Sequence, residues 1–312
     1  NYAFGTPHQE QHIRQHVAAV NLRGDVFDTW AGPVSLATGL EYREDRTVSD
    51  TDPISLAAGW QYGLGQRFHG KINVKEGYAE TVVPLARDWT LAHLLDLNAA
   101  IRLTDYSTSG RATTWKAGLI YEPIEGIRLR ATRSRDIRSP NTQELFASGS
   151  VIPGSIVDRT TNQSTIASIR TGGNTALNPE VAKTWTAGVV LTPGGALRNL
   201  RLSADWFDIS LSGVITSLGA QQIVDRCFAG AADLCDLITR GPDSVITIVR
   251  APLLNFNRLV TRGLDVEADY RIDIGAQSSL GLRMLGSYLK DLITVDSAGA
   301  VDRAGQTGQQ LL

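Results

Sequence analysis

No run of roughly 18 or more apolar residues occurs in the 312-residue sequence, so no single helix of it can cross a membrane. Neither sign of charge dominates. Thirty Lys and Arg stand against 32 Asp and Glu, for a formal net charge of −2. That balance excludes the basic stripe of a nucleic-acid binder and the solvated acidic tail, and no nucleic-acid partner is expected. Motifs of chemistry are also missing. There is no nucleophile elbow, no phosphate-cradling loop and no paired zinc motif. Gly63-Leu64-Gly65 has no helix after it and is not a dinucleotide fingerprint. The expectation is therefore no catalytic residue, no cofactor and no enzyme. Cysteine is scarce: Cys227 and Cys235 are the only two. They are either reduced thiols of a cytosolic protein or a local disulfide formed in an oxidising compartment, and we read the disulfide. A loop that short restrains the unfolded chain by roughly 2–3 kcal/mol.

What the sequence does hold is period-two alternation, repeated along its length. Leu95, Leu97, Ala99, Ile101 and Leu103 form one set; Asp96, Asn98, Ala100, Arg102 and Thr104 form the other. Successive strand side chains point to opposite faces, so the segment has one apolar and one polar face. From Leu264 to Ile274 the apolar residues alternate with Asp265, Glu267, Asp269, Arg271 and Asp273. A helix would spread those charges around its circumference. The same pattern marks Val34–Tyr42, Trp115–Tyr121, Ile127–Ala131, Trp185–Leu191, Leu200–Trp206 and Leu280–Tyr288, with a further strand around His16–Val26. About ten strands are expected. Two are irregular. Ile72–Val82 places Glu76 and Glu80 in register with Ile72, Val74 and Tyr78. The apolar parity of Leu200–Leu211 switches at Phe207, which predicts a bulge.

Several strands approach ten residues, the length that crosses a bilayer, rather than the five or six common in globular sheets. Connections alternate in length. Short ones fall near residues 28–33, 84–89, 122–126, 193–199 and 272–277; long ones span 47–70, 136–179 and 212–257, with 105–111 a shorter member of that set. Short turns at one end and long loops at the other match an antiparallel transmembrane β-barrel. Trp30, Trp89, Tyr121, Trp185 and Tyr270 lie near strand ends, where interfacial belts form. The 30 Gly and 42% hydrophobic content fit strands with a polar face. A soluble or surface-anchored all-β glycan-binding module, a sandwich or propeller, would show similar alternation and is the alternative. It would bury Leu97, Ile101, Val266 and Tyr270 between sheets, where the barrel would turn them to lipid.

Ordered motifs along nearly the whole chain resemble the barrel region of TonB-dependent outer-membrane receptors. They include Ala31-Gly32-Pro33-Val34 leading to Glu41-Tyr42-Arg43, then Val74-Lys75-Glu76-Gly77-Tyr78, then Leu97-Asn98-Ala99 and Thr114-Trp115-Lys116. The most specific is Leu129-Arg130-Ala131-Thr132-Arg133-Ser134-Arg135-Asp136-Ile137-Arg138-Ser139-Pro140-Asn141, followed by Glu144-Leu145-Phe146. Leu177-Asn178-Pro179-Glu180, Ala204-Asp205-Trp206-Phe207 and Arg262-Gly263-Leu264-Asp265 continue the series. The resemblance implies an all-β chain, residues 1–312 being part of a barrel of about 22 strands closed around an N-terminal plug. No plug is recognisable in this sequence. The chain begins Asn1-Tyr2-Ala3-Phe4 without a leader segment and ends without a terminal aromatic, so it is expected to start and stop inside a longer protein. The implied function is capture and import of a scarce ligand (siderophore, cobalamin, oligosaccharide or similar) across the outer membrane of a Gram-negative bacterium. The implied partners are the TonB-ExbB-ExbD complex, reached through the plug, and outer-membrane lipid.

Three groups are candidates for chemistry. His8, His12 and His16 recur every four residues with Glu10 between, but along a strand they stand about 13 Å apart, too far to share one ion, and no metal site is expected. Arg130, Arg133, Arg135 and Arg138 make a basic run entering a long loop. Arg133, Arg135 and Arg138 are the ligand-binding candidates, as a wall for an anionic ligand. The plainer reading pairs them with carboxylates of neighbouring strands or the plug. The Cys227–Cys235 loop either preorganises a ligand-facing surface or resists surface proteases. Gln221–Arg226 beside it reads as a short helix.

Overall fold

A computed structural model of the chain describes residues 5–57, 59–60, 66–275, 278–296 and 299–306. Gly63-Leu64-Gly65, both chain ends and residues 276–277 of one expected turn lie outside the described residues.

Alternating residues of high strand propensity are laid out as 14 strands in chain order. They are β1 (Gln9–Thr29), β2 (Gly32–Thr51), β3 (Phe68–Trp89), β4 (Ala92–Tyr106), β5 (Gly110–Ile124), β6 (Ile127–Arg138), β7 (Val151–Asp158), β8 (Gln163–Gly172), β9 (Glu180–Leu191), β10 (Leu200–Ser217), β11 (Ile238–Arg240), β12 (Ile246–Asp273), β13 (Ser279–Asp296) and β14 (Gly299–Asp302). Ten long strands and β14 pair in the order β1-β2-β3-β4-β5-β6-β9-β10-β12-β13-β14, each antiparallel to the next. Among the described residues the sheet is open along β1 and β14. The expected ten strands are these long ones; β7, β8 and β11 are additional and belong to loops.

One face of this sheet is apolar and uncovered. Leu97 is 37% exposed, Ile101 48% and Leu264 38%. Two stacked sheets would bury all three, so the sandwich alternative is not supported. The stretch from Leu264 to Asp273 is strand, paired on both sides with β10 and β13. Short turns close the ladder at one end, at residues 30–31, 90–91, 125–126 and 192–199, and β12 and β13 begin their pairing at that end with Asp273↔Ser279.

Register explains both irregular strands. Ile72 and Val74 share an inner face with Glu76 because a short helix, α2 (Thr142–Phe146), folds over that end of the sheet and makes it locally apolar. The bulge expected at Phe207 is absent. The ladder continues through Trp206↔Leu264, Phe207↔Gly263 and Asp208↔Arg262. Phe207 is instead an apolar residue on the polar face, lying over Gly263, where a Cβ would come within 2.6 Å of its ring. The register shift falls between Ser212 and Ile215.

The long loops carry structure. Segment 139–179 holds α2 and the β7–β8 hairpin. Segment 218–245 holds α3 (Ala220–Phe228), which contains the expected helix 221–226, then α4 (Ala232–Cys235) and β11. β8 runs parallel to the first part of β12, and β11 pairs with β12 beside it. Together they form a lobe with its own core of Ile156, Ala167, Leu218, Ile223, Val224, Leu234, Ile246 and Val249. The remaining α-helix, α1 (Pro53–Leu56), lies in the β2–β3 loop with Asp52 as its N-cap.

Candidate site at the loop end of the inner face

The polar face carries an ion-pair lattice. On β2, Arg43 reaches Glu41 at 3.0 Å and Asp45 at 3.4 Å. Across β3 and β4, Arg102 donates to Glu76 at 2.9 Å and its guanidinium lies 5.1 Å from the Tyr78 ring. Arg130 of β6 forms a two-pronged bond to Asp205 of β10, at 2.7 Å and 2.5 Å. Such paired charges line a wet interior more readily than they serve acid–base chemistry. Asp265 and Glu267, expected on this face, accept from Ser287 and Arg283.

Above this lattice, α2 closes the inner face. Asn141 and Glu144 form a reciprocal capping box, with both bonds at 2.8 Å. Leu145 then inserts against Ile72, Val74 and Leu177, and the Phe146 ring joins the cluster. Thr142 shares a 2.6 Å hydroxyl bond with Thr47. Arg138 fastens the base of the helix: its guanidinium grips Glu180 of β9 at 2.7 and 2.8 Å and Glu144 at 2.9 Å. Glu180 also accepts the Ile215 N–H at 2.7 Å, so one buried carboxylate ties β6, β9 and β10 together.

The structure divides the arginine run. Arg130 and Arg138 face inward. Arg133 and Arg135 lie opposite Ala117 and Trp115 and face outward; Arg133 stacks 4.5 Å from the Trp185 ring. The three ligand-binding candidates therefore do not share a surface. Only Arg138 faces the mouth, and two carboxylates already hold it. Alternation gives this split directly, since residues of odd spacing in a strand change sides. Glu180 and Glu144, which give Arg138 its role, carry no signal of their own beyond the motifs Leu177–Glu180 and Glu144–Phe146.

The loop lobe is held differently. Cys227 and Cys235 are joined by a disulfide linking α3 to α4. Arg240 of β11 binds both oxygens of Asp158 on β7, and this contact holds the Asp158 carboxyl down to about 2. Arg159 likewise lowers the Asp225 carboxyl, bonding it at 2.6 Å. Asn178 and Asn255 exchange two 2.8 Å bonds, stitching the loop before β9 to β12. Among the described residues no His, Cys, Asp and Glu group has the geometry of a metal site.

The family described as TonB dependent receptor-like, beta-barrel, matches residues 1–311. Among solved structures, the siderophore receptor PirA of Acinetobacter baumannii aligns with 95% of this chain and 38% of its own length, at 16% identity and a TM-score of 0.56. A variant of the ferric enterobactin receptor PfeA of Pseudomonas aeruginosa aligns with 90% of this chain and 36% of its own, at 16% identity and a TM-score of 0.64. The RagAB peptide transporter covers 93% of this chain and 32% of its own, at 11% identity and a TM-score of 0.55. The chain thus spans well under half of each solved relative, and the likeness to them is one of fold. With the matched family extending over all but the last residue, this chain belongs to the TonB-dependent receptor β-barrel family.

Proposed function

We propose that the chain is a segment of an outer-membrane receptor that captures a scarce ligand at its loop-bearing end and imports it with energy from the TonB system. One observation carries the reading: a single sheet with an uncovered apolar face and an ion-paired polar face, short turns at one end and structured loops at the other. The apolar face is then turned to lipid in the outer membrane of a Gram-negative bacterium, and the polar face to a lumen. Siderophores come first among the ligand classes, ahead of cobalamin and oligosaccharides, because PirA and PfeA are described as siderophore and ferric enterobactin receptors. The TonB-ExbB-ExbD complex would act through a plug supplied by another part of the protein. No catalytic step is assigned, and the family is one of receptors rather than enzymes.

The test uses the full-length receptor that contains this segment. Deleting its gene is expected to abolish protonophore-sensitive uptake of one labelled ligand from these classes, and the intact gene to restore it. Unchanged uptake of every class, or recovery of the protein in the soluble fraction, would reject the reading. The soluble glycan-binding alternative predicts that second outcome.

A further inference from the structure

Arg133 and Arg135 face away from the lumen, and Lys183 faces the same way. Lys183 on β9 is paired directly with Arg135, and Trp115 of β5 flanks Arg135 on the other side. One register step below, Arg133 is paired with Trp185 and stacks on its ring at 4.5 Å. Among the described residues the Arg135 guanidinium donates only to the Thr113 carbonyl. Among the described residues no carboxylate lies within ion-pair distance of Arg133, Arg135 or Lys183. On the opposite face Arg43, Arg102, Arg128, Arg130 and Arg138 each hold one. The contrast holds on their own face too, where Arg262, in register with Asp208, holds both Asp208 and Asp291.

Their height decides what they meet. Arg135 and Lys183 each stand nine residues from the short turn that ends their strand. At about 3.3 Å per residue and a tilt of about 40°, that is about 23 Å above the turn. The apolar band of an outer-membrane barrel is about 25 Å tall. The cations therefore sit at its outer boundary, beside Trp115 and Trp185, which suit an interfacial belt. A guanidinium there is only partly hydrated, and a phosphate offers it paired acceptors in matching geometry.

We propose that Arg133, Arg135 and Lys183 form an outward-facing site for the phosphate of an outer-leaflet lipid headgroup. It lies on the far side of the sheet from the lumen, so it is separate from any imported ligand. The stacking on Trp185 fixes the Arg133 plane, leaving its remaining donors for the phosphate. The proposal rests on the membrane orientation given above.

The test takes the full-length receptor in nanodiscs of phosphatidylcholine doped with phosphatidic acid, a phosphomonoester probe, and counts retained lipids by native mass spectrometry. The wild type should prefer phosphatidic acid, and the double substitution R135Q/K183Q should reduce that preference roughly tenfold, the loss of about one charge-assisted bond. Barrel assembly is checked separately by heat-modifiable mobility; should the double variant not assemble, K183E is used alone. Equal retention in an assembled variant overturns the site. Displacement by millimolar inorganic phosphate overturns the lipid assignment in favour of a soluble anion. Quenching of tryptophan by chain-brominated lipid separates the two levels. Intact quenching without phosphate preference rejects the site alone, whereas absent quenching rejects the orientation.

Discussion

The Phe146 ring occupies the space that a side chain on Gly70 would need: a Cβ built there would lie 2.1 Å from Phe146 Cδ2. Gly70 of β3 pairs with Thr47 of β2, whose hydroxyl bonds Thr142 at the other end of α2. The helix is thus seated on a bare patch of strand.

Gly70→Ala should displace Phe146 and loosen α2, at a cost of about 1–3 kcal/mol from overpacking. Hydrogen exchange at 142–147 should accelerate while the β4–β5 ladder stays protected. Unchanged exchange would show that the ring can shift without releasing the helix.

Arg138→Met leaves Glu180 buried without its cation. A fully buried pair broken on one side costs about 3–5 kcal/mol; the half-exposed guanidinium lowers this to about 2 kcal/mol. A double-mutant cycle with Glu144→Gln measures how much of the loss passes through α2. A coupling below about 0.5 kcal/mol would mean that Glu180 carries the whole effect.

Reduction of Cys227–Cys235 should destabilise the loop lobe and leave the barrel sheet alone. Removing so short a cross-link costs roughly 2–3 kcal/mol. The expected signature is faster exchange in α3 and α4 under reductant, with no change in β3–β6. Loss of protection in the sheet as well would show that lobe and barrel unfold as one unit.

Acid should open the same lobe. The Asp158 carboxyl is held at about 2 by Arg240, below its ordinary value near 3.9. A depressed carboxyl stabilises the fold above its unfolded value and loses that contribution as pH falls through its folded one. Asp225, lowered by Arg159, acts in the same direction. Protease cleavage between β7 and α3 should therefore rise from pH 4 toward pH 2 and be flat between pH 5 and 8. In Asp158→Asn the acid-dependent rise should shrink; a rise of full size there would put its origin elsewhere.

Strand existence and direction were readable from alternation because one face of each long strand meets a single kind of environment. Leu264–Asp273 obeys it without exception, and Leu95–Leu103 departs from it only at the small Ala100. Ile72 and Val74 broke it because their partner is Leu145, some 70 residues away, and no local pattern announces that contact. Phe207 broke it for a comparable reason: its space comes from Gly263 on the next strand. The hairpin β7–β8 escaped notice because its alternation is short and its neighbours are other loops. The arginine run was visible as charge, yet which members faced the lumen depended on applying the two-residue period within the run itself.

β12 is one strand of 28 residues that serves the loop lobe at one end and the barrel wall at the other. Inserting or deleting a single residue midway, near 256, would reverse which sides the two halves present, leaving either Val249 out of the lobe core or Val266 turned into the lumen. Changes of two residues spare both. Loop grafts onto this scaffold should accordingly succeed in even steps and fail in odd ones.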